Sequence, residues 1–252
     1  MKAFQFNTTP GIRFGSDYSV GTAEEVSKKL GNKILFVTDP GLVKIGLHEK
    51  TITELQKYSE ILIFDNVEAD PSIKTLMSCV QQGRDFDATG VIGFGGGSSM
   101  DVSKLTALLI GSNENIHEAW GVANAKGPRL PLALYPTTSG TGSEVTPISI
   151  ITQEDLEKKG VSSPIILPDL AILDPSLTLG LPPHITAATG IDAMVHAIES
   201  YASKSVNNNL ISQTLAKEAL KLLGSSIRQA VINGKDIEAR SNMLVGSMLA
   251  GV

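Results

Sequence analysis

Asp192 and His196 are the residues whose types and spacing point most directly to chemistry. They stand four positions apart in GIDAMVHAIES (190–200), a segment with the apolar pattern of a helix. Side chains at positions i and i+4 share one helical face, so this carboxylate and imidazole could reach a single metal ion. A metal site normally has three or four protein ligands, and an i,i+4 pair of this kind is also a common surface ion pair. The spacing alone leaves both interpretations open.

A glycine run forms the second candidate site. In VIGFGGGSSMDVSKLTALL (91–109) an apolar strand pattern leads through glycines 95 to 97 into a helical pattern. Glycines allow close backbone approach, and a helix N-terminus capped near Ser98 favours phosphate, so the segment could hold a diphosphate. It matches neither G-x-G-x-x-G nor the Walker pattern. A tight turn between strand and helix, without a ligand, explains it equally well.

Two further polar groups follow other apolar runs. The segment YPTTSGTGSEVTP (135–147) is dense in hydroxyls and glycines, and Asp39 closes the run ILFVTD. Loops at the carboxyl ends of parallel strands form the ligand crevice of doubly wound sheets, where an acidic residue binds ribose hydroxyls and favours NAD over NADP. Ordinary turns would use the same residues, and Asp39 also begins a good Asp-Pro-Gly turn.

The elements needed to position these residues are readable in the first part of the chain. Apolar runs at 33–39, 60–66, 90–96, 130–136 and 170–175 alternate with helical patterns near 20–30, 41–57, 72–83 and 98–110. This alternation predicts an α/β fold with a doubly wound, Rossmann-like parallel sheet. Runs with little period-2 alternation are typical of strands covered on both faces.

The strand pattern stops after LPPHIT (181–186), and from Thr189 onward the pattern is almost entirely helical. We therefore expect a dinucleotide-binding α/β domain over residues 1–181 and the start of an all-helical metal and substrate domain over residues 182–252. The stretch VNNN (206–209) predicts a connection between two helices. The apolar end RSNMLVGSMLAGV (240–252) favours packing against further helices, so we expect the helical domain to be truncated here and the chain to be a piece of a longer protein.

Composition excludes several classes of function. The net charge is −5 across 252 residues, which gives no basic footprint for nucleic acid or an anionic membrane surface. The apolar runs are too short to span a bilayer and the start lacks a signal-peptide core, so we expect a cytoplasmic protein. The single cysteine, Cys79, excludes an intrachain disulfide and is expected to be a buried thiol.

With these residues identified, the sequence resembles the iron-containing (group III) alcohol dehydrogenase family. The resemblance rests on GFGGGSSMD, PTTSGTGSEVT, LPDLAILDP and TAATGIDAMVHAIESY, which occur in this order between Gly93 and Tyr201. It implies an NAD(P)-dependent dehydrogenase in which metal and substrate lie in a cleft between the two domains. It also implies a homo-oligomer.

The resemblance assigns roles residue by residue. It implies that Asp192 and His196 are the first two metal ligands. The family's other two ligands are histidines at positions that would follow Val252. The implied cofactor contacts are Asp39 at the adenosine ribose, Gly96, Gly97 and Ser98 at the diphosphate, Thr137, Thr138 and Thr141 beside the nicotinamide, and Lys158 near a ribose.

Some positions depart from the pattern. Lys159 next to Lys158 leaves that register open, and Asp70 stands where many relatives have Asn. His48, His117 and His184 do not match the missing ligands; we expect the first two to be solvated and the third to begin a helix.

The implied activity is the reversible oxidation of a small alcohol to its aldehyde or ketone with NAD and a divalent metal, Fe²⁺ or Zn²⁺, which suit these ligands alike. One alternative is a glycerol dehydrogenase-like relative with another substrate. The other is a catalytically silent, truncated module that binds NAD.

Overall fold

A parallel sheet forms the centre of the larger part of the molecule in the computed structural model, which describes residues 3–252. The strands of the described chain are β1 (Gly11–Phe14), β2 (Lys33–Val37), β3 (Glu60–Phe64), β4 (Gly90–Gly95), β5 (Gly121–Val122), β6 (Leu132–Pro136), β7 (Ile148–Thr152), β8 (Lys158–Ser162) and β9 (Leu170–Leu173). Its helices are α1 (Tyr18–Gly21), α2 (Ala23–Leu30), α3 (Pro40–Lys44), α4 (Glu49–Leu55), α5 (Ile73–Asp85), α6 (Gly97–Ser112), α7 (Ile116–Ala119), α8 (Pro183–Ala202), α9 (Leu210–Ile232) and α10 (Ile237–Gly251).

Strand order determines where a ligand can enter the sheet. The central sheet runs β1-β9-β6-β4-β2-β3, and every pairing in it is parallel. From β2 the chain first adds β3 on one side and then β4 on the other, so the direction of winding reverses between β2 and β4. The loops that follow these two strands therefore part at their carboxyl ends, which is the usual crevice of a doubly wound sheet.

Both faces of the sheet are buried, which explains the continuous apolar runs in the sequence. Leu35 and Val37 pack with residues of α5 and α6 on one face, whereas Ile34 and Phe36 pack with residues of α2 and α4 on the other. Successive side chains of a strand point to opposite faces, so an apolar residue is required at every position. The sequence-based prediction of a doubly wound parallel sheet is confirmed.

The C-terminal part consists of three helices. Small residues allow them to pack closely: Ala193 and Ala197 of α8, Ala216 and Ala219 of α9 and Ala239 of α10 are almost fully buried against one another. The connection predicted at 206–209 lies between α8 and α9. No helix within residues 3–252 is long and apolar enough to cross a membrane.

The structure differs from the sequence-based expectations in several places, among them strand β1 of the central sheet, which was not predicted. The single helix expected over 41–57 is two helices, α3 and α4, because Gly46 has φ +68° and breaks the helical path between them. A small second sheet, β5-β8-β7, was not predicted. Its antiparallel β7–β8 hairpin pairs Ile150 with Gly160 and follows the hydroxyl-rich segment directly.

Candidate functional site

Asp39 and the glycine turn meet where the sheet reverses its winding. Gly95 ends β4 with φ +153°, and a Cβ there would lie 2.6 Å from Ser99 Oγ and 3.5 Å from Asp39 Oδ2. Only glycine fits this conformation and space easily. The other carboxylate oxygen, Asp39 Oδ1, accepts a hydrogen bond of 3.0 Å from the Leu42 amide and caps α3. One oxygen of Asp39 is thus structural, and the other faces the turn.

Helix α6 begins directly after this turn. Its N-cap is Gly96, and no side chain of the described chain caps this end. The amide groups of the first turn, which includes Gly97 and Ser98, carry the positive end of the helix dipole. Gly96, Gly97 and Ser98 are all half-buried. An uncapped N-terminus of a 16-residue helix beside a glycine turn is an arrangement that suits an anionic ligand.

The threonine-rich loop after β6 packs against the glycine turn. The Thr137 amide donates a 3.0 Å hydrogen bond to the Gly95 carbonyl. A Cβ on Gly97 would lie 2.8 Å from Thr141 Cγ2, and one on Gly96 would lie 3.5 Å from Thr138 Oγ1. The two loops that the sequence singled out separately are therefore neighbours, with Thr137 buried and Thr138 and Thr141 progressively more exposed.

A cleft of about 840 Å³ lies between this loop and the helical part. Four of the sequence-predicted site residues line it, namely Thr141, Lys158, Asp192 and His196. The other predicted residues, Asp39, Gly96, Gly97, Ser98, Thr137 and Thr138, lie outside its lining. Of these, Gly97 lies next to the lining, because it packs on Thr141.

Packing of α8 directs the predicted metal ligands into the cleft. Gly190, Ala193 and Ala197 are buried, and a Cβ on Gly190 would lie 2.6 Å from Met243 Cε of α10. The small-residue face of α8 thus lies against its neighbouring helices, and the opposite face carries Asp192 and His196. His196 Nε2 lies 3.7 Å from Asp192 Oδ1, and their side chains are 39% and 48% exposed.

The donor set of this pair suits a divalent metal. A carboxylate and an imidazole on one open face, close enough to share an ion, are typical ligands of Fe²⁺ and Zn²⁺. Among residues 3–252, no group of three or more His, Cys, Asp or Glu side chains is arranged to hold a metal. Glu199, one turn further along α8, lines the same cleft.

Lys158 faces the cleft from β8. Its ammonium group lies 2.6 Å from Asp70 Oδ1, and both residues line the cleft. Lys159 instead pairs with Glu157 at 3.6 Å and is not part of the lining. Of the two lysines, the structure brings Lys158 to the candidate site. The exposed Lys158–Asp70 ion pair contributes little to stability, so a ligand can displace it at small cost.

Sequence analysis missed a buried polar group behind the cleft wall. Lys104 of α6 is fully buried, and its ammonium group donates to oxygens of Ser143, Thr146 and Ile148. Burial lowers the pKa of Lys104 to about 8. Asp101, one helical turn earlier, lines the cleft, and burial raises the pKa of its carboxyl group. A lysine in the apolar run VSKLTALL was the available signal.

Glu144 lies next to Ser143 in the loop after β6 and is 1% exposed. Burial raises the pKa of its carboxyl group to about 7, against a smaller opposing effect of Lys104. Its Oε1 has no hydrogen-bond partner in residues 3–252. Two buried ionisable groups that are not part of the cleft lining, Lys104 and Glu144, therefore have pKa values shifted towards neutrality.

The remaining singled-out residues lie away from the cleft. The expectation that His48 is solvated is wrong: it is 8% exposed and lies beside the Phe36 ring, because the chain folds back between α3 and α4. His117 is exposed, and His184 lies in the first turn of α8, both as expected. Cys79 is fully buried, as expected, and burial raises the pKa of its thiol to about 12.

Known proteins show the same arrangement over nearly the whole chain. The sequence is 40% identical over 253 residues to the sulfoacetaldehyde reductase of Bilophila wadsworthia, covering 99% of this chain and 65% of that protein. It is 44% identical to long-chain-alcohol dehydrogenase 1 of Geobacillus thermodenitrificans, covering 89% of this chain and 58% of that one. The crystal structure of sulfoacetaldehyde reductase from Bifidobacterium kashiwanohense with NAD⁺ superposes with a TM-score of 0.91 at 31% identity, covering all of this chain and 66% of that chain.

The chain thus spans less than two thirds of the length of these relatives. Two family models match it in tandem. Residues 9–175 match the iron-containing alcohol dehydrogenase model, and residues 186–252 match the C-terminal model of the same family. The protein belongs to the iron-containing alcohol dehydrogenase family.

Proposed function

We propose that this protein takes part in a metal-dependent, NAD-linked interconversion of a small alcohol and its aldehyde or ketone. One observation carries the proposal: a single cleft receives Asp192 and His196 from the helical side and Thr141 and Lys158 from the sheet side. Hydride transfer requires the dinucleotide and the substrate to be held next to each other. This cleft is where the two sets of side chains meet.

NAD is the proposed dinucleotide. The uncapped N-terminus of α6 supports a diphosphate at Gly96, Gly97 and Ser98. The free oxygen of Asp39 beside Gly95 supports recognition of ribose hydroxyls, and its charge would repel the 2′-phosphate of NADP. Thr137, Thr138 and Thr141 would lie on the nicotinamide side, and Lys158 near a ribose. The structurally similar sulfoacetaldehyde reductase was crystallised with NAD⁺.

Asp192 and His196 are the proposed metal-binding residues, with Fe²⁺ or Zn²⁺ as the ion. When bound, the nicotinamide supplies a hydride acceptor, and the divalent ion supplies a Lewis acid that stabilises the substrate oxygen as its proton leaves. By holding the ion at one place in the cleft, Asp192 and His196 would determine where the substrate hydroxyl lies. Two ligands hold an ion weakly, so the proposed site needs further ligands besides this pair.

The cleft also indicates the class of substrate. Ile148 and Ile150 of β7 line it with apolar surface, and Ser200 of α8 and Ser203 at the C-terminal cap of that helix line it with hydroxyls. A short aliphatic alcohol or aldehyde fits this mixture. The relatives are named for long-chain alcohols and for sulfoacetaldehyde, so the chain length and charge of the substrate vary within the family.

The division into domains at residues 181 and 182, the homo-oligomer and the cytoplasmic location stay predictions.

A silent NAD-binding module is the second candidate, favoured by the two-residue metal group. NADH titration by fluorescence, followed by assays of small alcohols and aldehydes with added Fe²⁺ or Zn²⁺, separates the two. The proposal expects NADH binding and metal-dependent turnover that His196→Ala abolishes in the complete protein. Tight NADH binding without turnover would favour the silent module, and absence of NADH binding would contradict both.

A further inference from the structure

The fully buried ammonium group of Lys104 has more hydrogen-bond acceptors around it than it has protons. It lies 2.8 Å from Ser143 Oγ, 2.9 Å from the Thr146 carbonyl, 3.1 Å from Thr146 Oγ1 and 2.7 Å from the Ile148 carbonyl. An ammonium group has three donors and no acceptor. The lysine therefore ties the loop after β6 and the start of β7 to α6 at one buried point.

Ser143 extends this arrangement to the cleft. Its hydroxyl accepts from Lys104 and donates a 2.7 Å hydrogen bond to Asp101 Oδ1. The other carboxylate oxygen, Asp101 Oδ2, accepts a 2.9 Å hydrogen bond from the Ile150 amide. Both oxygens of a cleft-lining carboxylate are thereby fixed, although Asp101 Oδ1 is 4.0 Å from the lysine itself.

The direction of these hydrogen bonds is set by the charge of the lysine. Because an ammonium group can only donate, the Ser143 oxygen must accept from it and points its own proton at Asp101. The serine hydroxyl and the Ile150 amide both favour an ionised carboxylate. These two donors oppose the burial that raises the Asp101 pKa, and the ionised carboxylate that they favour presents only acceptor capacity to the cleft, so a ligand group beside it must be a donor.

We propose that Lys104 is a positioning residue of the dinucleotide site, which acts through Ser143 to hold the Asp101 carboxylate ionised and oriented on the cleft wall. This inference rests on the proposed function, because the ligand it prepares for is the dinucleotide. Stability alone does not require the link to the cleft. A buried apolar side chain at position 104 would avoid the cost of burying a charge.

Ser143→Ala tests the proposal with Ser149→Ala as a matched control. Both serines are buried, and both contact Asp101. The Ser149 hydroxyl, however, donates to the backbone carbonyl of Asp101 at 2.9 Å and not to the Asp101 carboxylate. In the complete protein, we expect Ser143→Ala to raise the dissociation constant of NADH about tenfold, since a hydrogen bond to a charged group contributes about 1.5 kcal/mol. Ser149→Ala should change it less than about twofold.

The pH dependence of NADH binding provides a readout that a merely structural role would not move. Removing a donor from Asp101 raises its pKa, so in Ser143→Ala the loss of affinity on acidification should begin at a higher pH than in the wild type. The ionisable groups around Asp101 are Lys104 behind it, Glu144 next to Ser143 in the loop after β6, and, along the cleft, Asp70, Lys158, Asp192, His196 and Glu199. Both variants keep all of these groups, but only Ser149→Ala keeps the Ser143 donor to the Asp101 carboxylate, so its profile should follow the wild type.

Lys104→Met removes the cation with little change in volume and should weaken NADH binding by more than Ser143→Ala does. If circular dichroism shows that this variant does not fold, the comparison of Ser143→Ala with Ser149→Ala still tests the inference. Equal NADH affinities and equal pH profiles for Ser143→Ala and Ser149→Ala would overturn the inference. Failure of the wild type to bind NADH would instead contradict the proposed function.

Discussion

The two walls of the cleft differ in how firmly this chain fixes them. On the sheet side, Lys104 is fully buried, and Ser143 is 4% exposed among several hydrogen-bond partners. On the helical side, Asp192 and His196 are 48% and 39% exposed and have apolar neighbours, Ile191 and Val195, that are also exposed. Buried hydrogen bonds within the chain hold the residues on the proposed dinucleotide side of the cleft in place. On the proposed metal side, the packing of α8 determines only the direction in which Asp192 and His196 point. Substitutions should therefore act differently on the two sides.

The largest effect is expected at Gly97. Gly97→Val would place branched carbons where a Cβ alone lies 2.8 Å from Thr141 Cγ2, so the two loops must separate. Overpacking of this kind costs about 1 to 3 kcal/mol, and we expect NADH affinity to fall roughly 10- to 100-fold. Gly180→Val is the control, because a Cβ there meets nothing within 4 Å. Equal NADH affinities in a fluorescence titration would remove the glycine turn from the site.

On the helical wall, His196→Ala should weaken binding of Zn²⁺ by at least about tenfold, since even the loss of an outer-shell partner costs about 10- to 100-fold. Isothermal titration calorimetry measures this directly. His117→Ala is the control, because His117 is exposed on α7, away from the cleft. If the two variants bind Zn²⁺ alike, the Asp192–His196 pair is an ordinary surface contact.

The buried carboxyl group of Glu144 predicts a pH effect on the sheet side. Its pKa is raised from 4.5 to about 7 in the folded protein, so the folded state binds more protons between these values. The stability that the protonated Glu144 allows below pH 4.5 should be lost as the pH rises through about 7, by up to about 3 kcal/mol, since one pKa unit corresponds to about 1.4 kcal/mol. Glu144→Gln should flatten this dependence in urea unfolding, whereas the exposed variant Glu154→Gln should not. A wild-type stability that rises between about pH 5 and 7, or a fall in stability that persists in Glu144→Gln, would contradict this account.

Asp39→Asn tests coenzyme selection while retaining an acceptor that can cap α3. Loss of the carboxylate charge should raise the ratio of NADPH to NADH affinity by about tenfold, since one unit-charge contact is worth about 1 kcal/mol or more near a surface. Asp65→Asn is the control: Asp65 follows β3 at the edge of the sheet, outside the switch point. Selectivity unchanged by Asp39→Asn would limit Asp39 to its capping role.

The smallest effect is expected on the exposed face of α8. Val195→Thr should change the free energy of unfolding by less than about 0.5 kcal/mol, because Val195 is 42% exposed. Ala193→Val, on the buried face of the same helix, should cost about 1 to 3 kcal/mol by overpacking. Equal costs in urea unfolding would show that both faces of α8 are packed in solution.

Local sequence patterns predicted the elements that position the candidate site residues. The apolar runs at β2, β4 and β6 place Asp39, the glycine turn and the threonine-rich loop at the ends of parallel strands, and helical spacing pairs Asp192 with His196. These features follow from contacts within a few residues. Strand β8 was missed because its sequence, KKGVS, is polar and lacks the pattern of a buried strand.

The support behind the cleft wall could not be predicted in the same way. The apolar run VSKLTALL indicates that Lys104 is buried, but its partners Ser143 and Ile148 lie 39 and 44 positions away, so no local spacing reveals what it contacts. The split of the expected helix at 41–57 likewise depends on the left-handed conformation of Gly46, which the periodicity does not show.

Paramagnetic relaxation tests most directly whether dinucleotide and metal share this cleft. Mn²⁺ added to the complex with NAD⁺ should broaden the nicotinamide proton resonances more than the adenine ones, because Asp192 and His196 line the same cleft as Thr141. The selective broadening should disappear in His196→Ala. Equal broadening of both ends of NAD⁺, or selective broadening that survives in His196→Ala, would contradict the central claim.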